Sequence, residues 1–128
     1  MAEKIVAGDL EFFPENRMGG QDGGPTLRVC AHVDGSRVEL LRLDMFHNLP
    51  HYHYAPAGVN IRYDMDPLTV DDGIGWVIGL LNSKLPQMLG KAGYPQLATP
   101  ANIDEALRVL PQVEESWRAV AALPIGAT

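Results

Sequence analysis

Thr26-Leu27-Arg28-Val29-Cys30-Ala31-His32-Val33-Asp34-Gly35-Ser36-Arg37-Val38-Glu39-Leu40 is the stretch on which the fold turns. Apolar and polar side chains alternate as far as Val33, the pattern of a strand with one buried face. Asp34-Gly35 then supplies a two-residue hairpin turn, since the favoured turn needs positive φ and these residues tolerate it. The strand pattern resumes at Ser36 and runs to Phe46. With this turn Val33 faces Ser36, Ala31 faces Val38, Val29 faces Leu40 and Leu27 faces Arg42. Leu27, Val29, Ala31, Val33, Val38 and Leu40 then share one face, the core side, while Arg28, Cys30, His32, Arg37 and Glu39 share the other. Beyond Leu40 the phase changes: Leu41, Leu43 and Met45 carry the apolar set, and Arg42 and Asp44 take the opposite side. A one-residue slip moves every side chain across the sheet, so a bulge near Leu40-Leu41 or a strand covered on both faces is required.

Upstream, Ile5 to Phe13 reads as a first strand, broken or bulged near Gly8-Asp9 and ended by Pro14. The Gly-rich segment 15–25 reads as a flexible loop. No Lys-Ser/Thr pair follows it and the next element is a strand, so it lacks the strand-to-helix setting of the common phosphate cradles. Downstream, Asn48 to Gly58 carries Pro50 and Pro56 and reads as irregular chain or a short edge strand. Val59 to Met65 alternates again and predicts a half-buried strand.

The remainder is helical in pattern. Asp71 or Asp72 can cap a helix through Leu81 with Trp76, Ile78, Leu80 and Leu81 inward. Its glycines are unfavourable in a helix unless close packing compensates. Ser83 can cap a second segment with Leu85, Met88 and Leu89 inward, ending near Gly90 or Gly93. Asn102 to Glu105 has the form of a capping box. A last helix follows with Ile103, Ala106, Leu107 and Leu110 inward, kinked or restarted at Pro111. Val113, Trp117, Val120 and Ala121 continue its stripe, and Pro124 to Thr128 reads as a loose tail. The expected architecture is α+β: an antiparallel sheet of about four strands within 5–65, packed against helices within 70–123, all in a single domain 1–128.

Composition narrows the function classes. A chain of 128 residues with 46% hydrophobic and 20% charged residues is long enough to bury its own core. A net charge of -6 without a basic run argues against nucleic acid, whose affinity is dominated by phosphate contacts. The single Cys30 excludes an intramolecular disulfide framework, and no apolar run approaches a membrane span. Met1 to Val6 lacks the basic and apolar regions of a signal peptide, so a cytoplasmic location is expected.

The chemistry concentrates at His47-Asn48-Leu49-Pro50-His51-Tyr52-His53-Tyr54. His51 and His53, two apart, project to the same side of an extended segment with Cα atoms about 6.5 Å apart. That spacing suits two ligands of one divalent zinc, iron or nickel ion. Asp44 from the neighbouring strand could add a carboxylate oxygen, and His47 could join if Pro50 turns the chain back. In a metal-free alternative, His51 or His53 acts as a general base beside Asp44, Asp64 or Asp66, with Arg62 holding a small anionic ligand. The bland alternative has the His and Tyr rings lining a solvated loop, and Arg62 and Asp64 as exposed strand residues. A homodimer through an exposed strand edge or an apolar helix face is expected. In a different class of function, a non-enzymatic module, His and Tyr pack that interface, which fits the enrichment of Tyr at interfaces. Cys30 reads as an inert buried thiol, raised rather than activated by Glu39, its cross-strand neighbour in the expected register.

The segment His51-Tyr52-His53-Tyr54 with Pro56, then Gly75-Trp76, Lys84-Leu85-Pro86-Gln87-Met88-Leu89, Ala92-Gly93-Tyr94-Pro95 and Pro111-Gln112-Val113-Glu114, resembles a small bacterial domain family of unknown function. The resemblance spans the last two-thirds of the chain and implies no activity. The His-x-His also resembles the cupin metal motif, but the next glutamate is Glu105 in the helical region, which excludes that family.

Overall fold

The computed structural model describes residues 3–126; Met1 and Ala2 of the N-terminal reading, and Ala127 and Thr128 of the expected tail, lie outside the described residues. Six strands follow one another: β1 (Ile5–Ala7), β2 (Leu10–Gly19), β3 (Asp22–Val33), β4 (Ser36–Asp44), β5 (His51–Tyr54) and β6 (Ile61–Asp64). Two helices come after them, α1 (Gly73–Lys91) and α2 (Pro100–Ala121), with a short 3₁₀ turn at Pro95–Leu97 between. The strands pair antiparallel in sequence order, β1-β2-β3-β4-β5-β6. The architecture is α+β, with six strands rather than four.

The β3–β4 hairpin holds the predicted register near its turn, Val33 opposite Ser36 and Ala31 opposite Val38. Asp34 (φ 52) and Gly35 (φ 81) supply its positive dihedrals. The bulge falls where the hydrophobic phase demands it. Cys30 pairs with Glu39 and Val29 with Leu41, leaving Leu40 as the extra residue. Past the bulge, Leu27 therefore meets Leu43, not Arg42.

Several expectations are corrected. Pro14 does not end a strand: it sits inside β2 on the core face, opposite Leu27. The chain between Ile5 and Phe13 is two strands reversed at Gly8-Asp9, with Ala7 opposite Leu10. The Gly-rich segment 15–25 is no loop; it completes β2 and opens β3, with only Gly20 and Gln21 at the turn. His51–Tyr54 is an inner strand between β4 and β6. Val59 to Met65 is not half-buried: β6 is an edge strand exposed along its whole length.

The two helical segments expected between Asp72 and Gly93 are one helix, α1. Asp72 caps it by accepting from the Gly75 amide, and Pro86 lies inside it. Asn102 is not the cap of α2. Thr99 is, while the Asn102 side-chain amide reaches Asp9 and the Leu97 carbonyl. Trp76 and Leu107, expected inward, are 39% and 37% exposed. The tail is pinned at least to Gly126: Asn16 donates to the Leu123 carbonyl and accepts at its own carbonyl from Gly126.

Both helices lie on one face of the sheet. Leu10, Phe12, Leu27, Val29, Ala31, Leu41 and Leu43 meet Val77, Leu81, Leu85 and Leu89 of α1 and Ala106, Leu110, Val113 and Trp117 of α2. Each large apolar side chain so buried contributes roughly 1.5–3 kcal/mol. Trp117 is fully buried and donates its indole N–H to the Glu15 carbonyl, so no polar atom of the ring is stranded. Among the described residues no helix is long and apolar enough to cross a membrane.

Candidate metal centre

The face of the sheet away from the helices carries two rows of side chains, set by strand register. Glu15, Thr26, Asp44, His51 and Asp64 are successive partners across β2 to β6. Phe13, Arg28, Arg42, His53 and Arg62 form the next row. Directly paired residues project to the same side, so Asp44, His51 and His53 are brought together by the β4–β5 pairing itself. The phase change at Leu40 is what turns Asp44 to this face.

Asp44, His51 and His53 are all buried, and their ligand atoms lie within 4.8 Å of one another. Asp44 Oδ2 is 3.1 Å from His51 Nε2 and 3.5 Å from His53 Nε2. Two ligands bonded to one ion at about 2.1 Å stand roughly 3.0–3.4 Å apart at octahedral or tetrahedral angles. The rings meet edge to face at 5.0 Å.

The other side of each group is tied down. His51 Nδ1 is 2.9 Å from the Leu49 carbonyl, an acceptor only, so Nδ1 carries a proton, and in the neutral ring it is Nε2, facing Asp44, that has the free lone pair. His53 Nδ1 is 2.7 Å from Asn60 Oδ1, which fixes the same tautomer. Asp44 Oδ1 accepts from Arg17 Nη2 at 2.9 Å and from Thr26 Oγ1 at 2.8 Å. Asp44 Oδ2, although buried, has no well-aligned hydrogen bond. Two imidazole lone pairs and one carboxylate oxygen therefore converge with nothing to share between them. Such an arrangement is repulsive unless a proton or a cation sits at the focus. Burial, partly offset by Asn60 and Asp44, holds the His53 pKa below the ordinary imidazole value, which disfavours the proton at that ring.

A loop closes over the centre. The Phe46 ring packs edge-on against His51 at 5.3 Å, and the Arg17 guanidinium lies 5.3 Å over Phe46. The loop is held by the segment that reads as flexible in the sequence. Gly23 O accepts from the His47 amide, and the Asp22 carboxylate accepts from Asn48 and Leu49. A Cβ at Gly24 (φ 151) would stand 2.8 Å from the Met45 carbonyl, so glycine permits this approach. Arg17, Thr26, Phe46 and Asn60, absent from the candidates drawn from sequence, all support the centre.

His47 is an exposed residue of that loop and stands outside the trio. Arg62 and Asp64 occupy register positions beside His53 and His51, but they pair with each other at 2.7 Å in an exposed ion pair. His51 and His53 do not line a solvated loop: both are buried side chains of β5. Cys30 is buried opposite Glu39; burial, then Glu39, push its thiol up to about 11, so it is no nucleophile.

Fold and site together define an α+β meander domain with a buried cluster of two histidines and one carboxylate on the helix-free face of its sheet. The chain belongs to the DUF7700 family, a domain of unknown function, whose family model matches residues 4–117. That match reaches the N-terminal strands, beyond the stretch carrying the resemblance seen in the sequence. Curated proteins and solved structures give no match.

Proposed function

We propose that Asp44, His51 and His53 bind a divalent transition-metal ion, zinc or iron before nickel, and that the domain is a metal-dependent pocket for a small anionic molecule. The observation that carries this is the convergence of Asp44 Oδ2 with two imidazole nitrogens whose opposite Nδ1 atoms are hydrogen-bonded to oxygen acceptors. Histidines that ligate metals commonly donate their second N–H in this way. Three protein ligands leave coordination positions open for water or substrate, as catalytic rather than structural sites do. Arg62, next to His53 in register and exposed, has donors beyond the one that Asp64 takes, and these supply the contact for an anionic ligand. We place the domain in the bacterial cytoplasm, where the buried thiol of Cys30 stays reduced.

Elemental analysis of protein purified without an affinity tag tests the reading. Near-stoichiometric metal is expected, lost when His51→Ala and His53→Ala are combined. Metal-free protein that also fails to bind added zinc or cobalt would overturn it.

A further inference from the structure

β6 ends the sheet, with no strand beyond it and every residue exposed. Its outward N–H and C=O groups have no strand partner among the described residues, which makes it a template for another strand. The helix side of this edge is apolar. Ile61 is 36%, Tyr63 39%, Trp76 39% and Val59 75% exposed. The Tyr63 ring is already fixed: it stacks on Tyr52 at 5.5 Å, with the Lys91 ammonium 4.5 Å from its centroid. Ordering it in a complex therefore loses little further freedom.

We infer that the occupant of this edge is a second copy of the same chain, joined β6 to β6 about a two-fold axis through Tyr63. Antiparallel addition of identical edges places the axis perpendicular to the sheet, which keeps the helices of both copies on one side. Side-chain parity then allows only registers in which even-numbered residues face even-numbered ones. Within β6 this leaves four centres, and one at Ile61 sets Arg62 against Asn60, with no opposite charges paired. An axis at Arg62 sets arginine against arginine, and one at Asp64 sets aspartate against aspartate. The axis at Tyr63 sets Arg62 of each copy against Asp64 of the other, Tyr63 against Tyr63, and Ile61 against Met65. Like charges directly opposite are destabilising and opposite charges favourable, so the sequence Arg62-Tyr63-Asp64 is self-complementary in one register alone. The Arg62–Asp64 pair within each chain, exposed and 2.7 Å long, is exchanged for two pairs between chains. The joint sheet has twelve strands, twice the six of one copy.

Charge reversal tests this register in the full chain. Sedimentation equilibrium on the wild type is expected to give twice the 14.0 kDa chain mass. Asp64→Arg or Arg62→Asp alone makes both cross-strand contacts like-charged and is expected to give monomer; the double variant R62D/D64R restores the opposite charges and the dimer. A second measurement does not depend on charge. Tyr63→Cys puts a thiol on the axis, where directly opposed Cβ atoms about 4.5–5.5 Å apart are near disulfide range. Mild oxidation is expected to cross-link it to its counterpart, whereas Ile61→Cys, which faces Met65, stays uncross-linked. A wild type that is monomeric throughout the concentration range overturns the inference. So does a dimer untouched by both single reversals, a double variant that stays monomeric, or cross-linking at Ile61→Cys in place of Tyr63→Cys.

Discussion

Asn60 shows how much of the centre rests on a residue that contacts no ligand position. Its backbone takes φ 50, a conformation Asn tolerates, and its Oδ1 receives the His53 Nδ1 proton. Removing that acceptor frees the ring to flip or to change tautomer. Asn60→Gly keeps the positive φ without strain but deletes the acceptor, and is expected to weaken zinc affinity by about 10- to 100-fold. Asn60→Asp keeps an acceptor and is expected to bind like the wild type. Isothermal titration of the three proteins decides it, and equal affinity for Asn60→Gly and wild type would sink the positioning role. His51 and His53 were legible because strand period puts i and i+2 on one side, and Asp44 because the flipped phase pointed it away from the core. Asn60, Thr26 and Arg17 were not, since their roles depend on which strands lie alongside. No local pattern encodes that.

Glycine positions in α1 separate what helix propensity predicts from what packing decides. Propensity alone counts Gly73, Gly75 and Gly79 as equal liabilities of about 1 kcal/mol each. The structure makes them unequal. A Cβ at Gly73 would stand 2.7 Å from Met45 Cβ, and one at Gly75 would strike the Asp72 carboxylate that caps the helix. At Gly79 there is no neighbour within 4 Å. Gly79→Ala is therefore expected to stabilise the protein by about 0.5–1 kcal/mol, and Gly75→Ala to destabilise it by disturbing the cap, by about 1 kcal/mol. Chemical denaturation of the two variants checks both signs; a loss of stability in Gly79→Ala would contradict the account. Close packing against the sheet was the compensation expected for these glycines; Gly73 meets Met45 just beyond β4, whereas Gly75 meets the helix's own cap and Gly79 meets nothing. Sequence could not show that Pro86 would be carried within one continuous helix. The Gly-rich segment misleads for a related reason: flexibility is what glycine offers in isolation, whereas here Gly24 permits a close backbone approach that only the folded sheet creates.

At the scale of the whole molecule, the two helices cover only one side of the sheet, and the other side is closed by its own charges. Glu11 is held by Arg37 and Lys4, and Glu39 by Arg28 and Arg42, while Arg28 also binds Glu15. The order of strands before helices makes the α+β class readable, and the alternation in β3 and β4 marks which face stays open. Which carboxylate meets which arginine follows from packing, and with it the dependence of stability on these carboxylates. The Arg37 hydrogen bond holds Glu11 below the usual carboxylate range against the effect of burial. For Glu39 burial is the largest influence and acts upward, yet Arg42 and Arg28 together outweigh it and keep the group low. A depressed folded pKa means that the unfolded chain binds protons first as pH falls. The contribution is complete above the unfolded value, about 4.3 for a glutamate in an unstructured peptide, and is lost as pH drops through the folded value. Stability to urea should thus hold from neutrality to about pH 5 and then fall steeply. Glu39→Gln leaves Arg28 and Arg42 facing each other across β3 and β4, so it should be less stable at pH 7. It should also have a shallower acid limb, because one linked proton is gone. Urea midpoints measured from pH 7 to pH 3 compare the slopes directly. Parallel acid limbs in wild type and Glu39→Gln would show that the charged face does not carry the acid sensitivity.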